Sequence, residues 1–235
     1  MKVQYEFAFN TERQKTYPNI DMIEARMGYA INETLLLEMA QVLACPVKVN
    51  PPNWQHGRVL YSVARSFFAR APKNSYNVLD IGTAKGFSAL CLRVAACDAG
   101  AEAKITSLDV IDPEARIKRN TVAECDGLKT LRETIGPMLW GIHGKKIKFE
   151  FAKSVNWLMM HPDRLHFVFV DGKHQYQTVS QEIELLSLRQ DSGDLIIFDD
   201  VQIDGVARAI SEAVDYDIEY LEAKEDRKYA IATRR

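Results

Sequence analysis

Long apolar runs, paired cysteines and a surplus of charge of either sign are what this sequence lacks. No apolar stretch reaches the roughly 18 residues of a membrane-spanning helix, so no transmembrane segment and no membrane partner are expected. The opening residues, MKVQYEFAFNTERQK, have no long apolar centre of the kind that marks a secretory signal, and a cytoplasmic protein is the expectation. Four cysteines, Cys45, Cys91, Cys97 and Cys125, form no CxxC pair and no zinc-ligand spacing, which reads as free thiols. Thirty basic residues against 32 acidic ones leave a formal charge of −2, so no global field draws the chain to nucleic acid. Internal repeats and low-complexity segments are also missing.

What is present suits one α/β domain with a helical extension: 235 residues, 47% of them hydrophobic, enough for a sizeable core. Residues 21–44 carry apolar positions at three and four spacing and read as mostly helical. CPVKVNPPN (45–53) breaks that helix, and HGRVLYSVARSFFAR (56–70) restores one that ends at Ala71-Pro72. From Asn77 short apolar runs alternate with amphipathic stretches: strands at 77–81, 104–110, 146–152, 165–171 and 194–200, with helices near 85–99, 127–141, 153–160, 176–190 and 203–214. Strands separated by helices imply parallel pairing with right-handed crossovers and helices on both faces. The last two runs, 216–222 and 228–233, are joined only by AKEDR, too short for a parallel crossover, so they pair antiparallel. The fold expected is a Rossmann-like three-layer α/β sandwich, a seven-stranded mostly parallel sheet with a C-terminal antiparallel hairpin. Residues 1–55 form a helical cap and 56–235 the main domain. The mixed charges at 224–228 read as a solvated hairpin tip.

The loop after the first strand, NVLDIGTAKGFSALC, decides the ligand class. A dinucleotide fingerprint needs a second glycine where Ala84 stands and a third where Phe87 stands, so a nicotinamide oxidoreductase is a weak reading. A phosphate-binding Walker loop needs Gly-Lys-Ser/Thr, and Lys85-Gly86-Phe87 has the wrong order. What remains, Asp80, Gly82, Ala84 and Gly86, resembles motif I of the class I S-adenosylmethionine-dependent methyltransferases, whose ligand brings no phosphate. A second acid, Asp109, ends the next strand, where a carboxylate accepts hydrogen bonds from ribose hydroxyls. The resemblance implies a cofactor site of Asp80, Ile81, Gly82, Thr83, Ala84, Gly86, Phe87 and Ser88, with Asp109, Val110, Ser154 and Asp171. For Ser154 a helix N-cap explains the residue equally well. Gly57 is either an approach point for the cofactor, with Trp54 and His56 at the substrate mouth, or part of a helix start packed on the sheet.

Two more stretches end strands, where open α/β sheets bind ligands. FVFVDGKHQY places Asp171 at the end of one, with Lys173 and His174 in the turn, and LIIFDD places Asp199 and Asp200 at the end of the next. Three converging carboxylates repel one another and suggest a bound hard cation, with Mg²⁺, Ca²⁺ or Mn²⁺ favoured by all-oxygen ligands. The alternative is that Asp199 or Asp200 caps the helix that follows. The constellation resembles the metal-dependent O-methyltransferases of the catechol and caffeoyl-CoA type, and more closely the macrocin-type sugar O-methyltransferases. It covers roughly residues 54–235 and implies S-adenosylmethionine, a divalent ion (Mg²⁺) on Asp171, Asp199 and Asp200, and a small hydroxylated substrate. The base position holds His174, with Lys173 its neighbour. Rival readings are a metal-independent methyltransferase acting on nitrogen or on a macromolecule, and a cofactor-binding module without turnover. Residues 1–53 are expected to select substrate or form a homodimer contact.

Overall fold

The computed structural model describes residues 2–44, 52–70, 75–119, 127–224 and 227–235. Seven strands form one sheet: β1 (Ser75–Ile81), β2 (Glu102–Asp109), β3 (Ile147–Phe151), β4 (Phe167–Val170), β5 (Leu195–Phe198), β6 (Tyr216–Lys224) and β7 (Arg227–Arg234). Their order is β3-β2-β1-β4-β5-β7-β6, with β7 antiparallel to both neighbours and all other pairs parallel. The chain therefore reverses direction across the sheet between β1 and β4, the switch point at which such sheets open a crevice beyond their strand ends. Loops after β1, β2, β4 and β5 all meet there.

Because strand side chains alternate, each strand feeds two apolar clusters. Val78, Ile105, Phe167, Phe169, Leu195 and Ile197 face one layer, and Leu79, Leu108, Val168, Val170, Ile196 and Phe198 the other. The first layer contains α1 (Lys2–Arg13), α2 (Pro18–Met27), α3 (Glu33–Leu43), α4 (Gln55–Ala69) and α5 (Phe87–Asp98). The second contains α8 (Ser154–Met160), α9 (Tyr176–Ser187) and α10 (Asp204–Ser211). β4 and β5 are buried at every position, as strands covered on both faces must be, and their unbroken apolar sequences FVFV and LIIF follow from that.

Two expected helices are divided. The helix expected over 21–44 ends at Met27, where Gly28 takes a left-handed φ of 79° and caps the last turn. It restarts at Glu33, with Asn32 Oδ1 accepting the Leu35 amide at 3.0 Å. The one expected over 127–141 is split by Gly136 into α6 (Leu131–Ile135) and α7 (Pro137–Ile142). Gly57 belongs to the packing of α4 on α5: a Cβ there would stand 2.7 Å from the Phe87 ring and 2.9 Å from Cys91 Sγ. Trp54 is buried against Phe9, so it is core rather than mouth. His56 packs edge-on to Phe87 and donates from Nδ1 to the Asn53 carbonyl at 2.7 Å, the tautomer following from the acceptor. Cys45, Cys125 and most of the 45–53 break lie outside the described residues; Cys91 is a buried and Cys97 an exposed free thiol.

Candidate active site

The loop after β1 is shaped by its contact with β4. Gly82 has φ 104°, and a Cβ there would lie 2.1 Å from the Asp171 carbonyl oxygen, so only glycine lets the two strand ends touch. The amides of Gly82 and Thr83 donate to the Leu108 carbonyl at 2.9 and 3.0 Å, which binds the loop to β2 as well. Ala84 is left-handed (φ 46°) and its amide donates to Asp109 Oδ2 at 2.7 Å, while the Ile111 amide donates to Oδ1 at 3.0 Å. Asp109 thus holds the turn from both sides and keeps further lone pairs for a ligand. Gly86, left-handed at 82°, precedes α5, whose first residues Phe87 and Ser88 are buried, as is Ile81. Val110 is exposed.

Asp80 lies under this loop, fully buried. Ser107 Oγ donates to its Oδ2 at 2.6 Å and meets Thr83 Oγ1 at 2.6 Å, so a hydrogen-bonded chain runs from carboxylate to loop. Burial pushes its pKa up to about 7, with the bonds from Ser107 and Ser88 opposing the rise. Ser154 opens α8, but the N-cap is Lys153. The Ser154 hydroxyl donates instead to Glu182, a buried carboxylate of α9 whose pKa burial also raises to about 7.

Beyond β4 and β5 the acidic residues divide. His174 Nε2 stands 3.4 Å from Asp171 Oδ1 and 3.5 Å from Asp200 Oδ2. That nitrogen is buried without a well-formed hydrogen bond among the described residues. Asp171 chiefly, then Asp200, raises the pKa of His174, against partial burial. Asp200 takes a left-handed φ of 55°, which turns it away from Asp199 and toward His174. Asp199 is buried at 1% exposure; its Oδ1 accepts the Asp200 amide at 2.6 Å and its Oδ2 accepts Arg227 Nη1 at 2.8 Å. The same Nη1 is 3.2 Å from Asp200 Oδ1. Lys173 is exposed, with no ion pair among the described residues. Neither Asp199 nor Asp200 caps α10, whose N-cap is Ile203.

Among the described residues, Asp171, His174 and Asp200 are the ones that bring three ligand atoms within 4.8 Å of one another. Two carboxylate oxygens and an unpartnered imidazole nitrogen form a donor set that fits Mg²⁺ or Mn²⁺. Of the expected set, Asp171 and Asp200 face His174, while Asp199 is engaged by Arg227. Of the tip expected to be solvated, Glu225 and Asp226 lie outside the described residues, Arg227 turns inward to Asp199, Lys224 lies 5.6 Å from the Tyr17 ring centre, and Lys228 pairs with Glu222 at the surface. Sequence reasoning missed Ser107, Glu182 and Arg227. Ser107 had a signal, a polar residue paired with Asp80 in register inside an apolar strand. Arg227 had none, because its partner is 28 residues away and depends on the β5–β7 pairing.

A family model described as a methyltransferase domain matches residues 79–201, more than half of the chain. The chain belongs to this methyltransferase family. Among solved structures, an O-methyltransferase from Bacillus cereus in complex with SAH is 17% identical, with 87% of this chain and 92% of that chain covered at a TM-score of 0.56. An rRNA methylase from Streptococcus thermophilus is 12% identical, with 74% and 95% covered and a TM-score of 0.52. At such identities the likeness is one of fold, and it bears out the Rossmann-like sheet with its C-terminal hairpin. No curated protein matches. Family and fold together support an enzyme that uses S-adenosylmethionine as methyl donor. No helix among the described residues is long and apolar enough to cross a membrane.

Proposed function

We propose that this methyltransferase transfers the methyl group to a hydroxyl of a small molecule, with His174 as general base and a divalent cation assisting. The observation that carries the reading is the placement of His174 between Asp171 and Asp200, three residues beyond the backbone contact of Gly82 with Asp171. Cofactor loop and proton acceptor are thereby joined through the short turn Asp171–His174. S-Adenosylmethionine lies on the loop of Gly82–Gly86, with Asp109 toward its ribose. His174 Nε2 takes the proton of the acceptor hydroxyl, the oxygen attacks the methyl carbon in line, and the carbon–sulfur pair leaves with sulfur. Asp171 and Asp200 are the residues that would hold the ion, which leaves His174 Nε2 to the proton, and such an ion would lower the pKa of a bound hydroxyl. An ion there would offset the pull of Asp171 and Asp200 that raises the His174 pKa, and so would favour the neutral imidazole that accepts a proton. Formal charge of −2 supports a small acceptor over RNA, although rRNA methylases share the fold.

Calorimetric titration with S-adenosylhomocysteine, in Mg²⁺ and again in EDTA, tests the cofactor. Micromolar binding is expected in both, and no binding in either removes the reading. His174→Ala is expected to lower kcat about 100-fold or more on a hydroxylated acceptor with cofactor affinity unchanged. An unchanged kcat assigns the proton elsewhere.

A further inference from the structure

We propose that Arg227 and Asp199 form a closed ion pair behind the cation site, and that Arg227 limits how tightly that site binds a divalent ion. The proposal rests on the cation-assisted reading above and concerns which residues set its strength. Arg227 opens β7, and the backbone around it is pinned to the end of β5. The Val201 amide donates to the Lys228 carbonyl at 3.1 Å, and the Lys228 amide donates to Gln202 Oε1 at 2.9 Å. The guanidinium is therefore delivered at a fixed place, and its side chain is 24% exposed. From there a single nitrogen reaches Asp199 Oδ2 at 2.8 Å and Asp200 Oδ1 at 3.2 Å.

Each carboxylate is divided by these bonds. Both oxygens of Asp199 are committed, to Arg227 and to the Asp200 amide, in a position closed to solvent. Asp200 Oδ1 takes Arg227 and, at 2.6 Å, Gln202 Nε2, which leaves Oδ2 turned to His174. With all three aspartates ionised, one guanidinium leaves two negative charges uncompensated, the charge of one divalent ion. Arginine does not deprotonate at any working pH, so this offset is permanent, and a like charge this close weakens a cation held by Asp200.

Removing Arg227 both strips a positive charge and frees a carboxylate oxygen. Replacing Arg227 and Asp199 together keeps the net charge and removes only the pair. Manganese titration of the full-length, EDTA-treated protein, read by electron paramagnetic resonance, separates these effects. Arg227→Gln is expected to bind Mn²⁺ about tenfold tighter than the native chain, and Arg227→Lys within about threefold of it. The double variant Arg227→Gln with Asp199→Asn is expected within about threefold of native affinity. A loss of about tenfold or more in the double variant makes Asp199 a ligand and overturns the proposal. Unchanged or weaker binding by Arg227→Gln also overturns it, with thermal melts showing that each variant is folded. Should Arg227→Gln fail to fold, affinity in Arg227→Lys changed by more than about tenfold overturns it. Binding by Arg227→Gln but not by the native chain supports the proposal while removing cation assistance from the native reaction. Absence of binding in every variant removes both.

Discussion

Two buried contacts at the Gly82–Gly86 loop show how much single residues decide here. The Asp80 carboxyl titrates near 7 in the folded chain against an ordinary 3.8, because burial penalises its charge more than Ser107 and Ser88 relieve it. The folded state therefore holds this proton more tightly than the unfolded state does. Its contribution to stability is complete below about pH 4, is lost as pH rises through 7, and amounts to roughly 4 kcal/mol across that window. Asp80→Asn keeps an acceptor for Ser107 and carries no charge. Its melting temperature is expected to exceed the native one at pH 8 by several degrees and to approach it at pH 4.5, a comparison made by scanning calorimetry at the two pH values. An offset that is equal at both would remove Asp80 as the cause. Gly82 has no such tolerance. Alanine there combines a left-handed backbone with a Cβ 2.1 Å from the Asp171 carbonyl, so the loop and the β4 end must separate. Gly82→Ala is expected to lose at least about 2 kcal/mol of stability in urea unfolding and to lose cofactor binding. Native-like values for both would mean that the two strand ends do not touch.

At the level of elements, the 174–176 loop is held in place by the first turn of α10. Gly205, in the first turn of α10, has no room for a side chain: a Cβ would meet the Tyr176 amide nitrogen at 2.9 Å and the His174 carbonyl at 3.1 Å. Backbone is on the far side of that contact, so the 174–176 loop must give. Gly205→Ala is expected to lower kcat about tenfold with little change in cofactor affinity, because His174 moves while Gly82–Gly86 stay. Steady-state kinetics with cofactor titration checks the split, and a parallel fall in both would point to general unfolding. This contact also marks where sequence reasoning stops. Strand positions were legible, since FVFV and LIIF are bounded by aspartates and strands covered on both faces show unbroken apolar runs. The hairpin was legible from the length of AKEDR alone. The meeting of Asp171 with Asp200 followed from adjacent parallel strands, β4 and β5. What stayed hidden were side-chain commitments across distant elements: Arg227 on Asp199, Glu182 on Ser154, and the Gly57 face of α4 against Phe87. Nothing in local periodicity distinguishes a buried glycine or carboxylate that meets another element from one that meets a ligand.

Across the whole molecule, the described parts of the segment between β2 and β3 pack against the loop of Gly82–Gly86. It folds back on itself. The Leu131 amide donates to the Pro113 carbonyl at 2.8 Å, Arg119 donates to the Lys129 carbonyl at 2.7 Å, and Thr130 with Glu133 closes a capping box at the start of α6. Ile135 reaches to within 3.1 Å of where a Cβ would stand on Gly86. Between this segment and the loop, the cavity lined by Thr83, Ala84, Asp109, Arg119 and Leu131 measures about 10 Å³, room for a water at most. A nucleoside-bearing ligand needs a pocket of some hundreds of Å³. With the cofactor on Gly82–Gly86 as proposed, the parts of the segment described at 111–119 and 127–135 are expected to shift when it enters, and the second helical layer, α8 to α10, is not. Hydrogen–deuterium exchange with and without S-adenosylhomocysteine is expected to change at 82–86, 111–119 and 127–135 and to leave the centre of α9 as it was. At a ligand concentration about 100 times its dissociation constant, binding to the folded state alone adds roughly 2.7 kcal/mol of stability, so a raised melting temperature accompanies the change. A raised melting temperature with unaltered exchange in the segment would place the ligand elsewhere. Altered exchange spread evenly over both layers would mean that the sheet, rather than the segment on its open edge, yields to the cofactor.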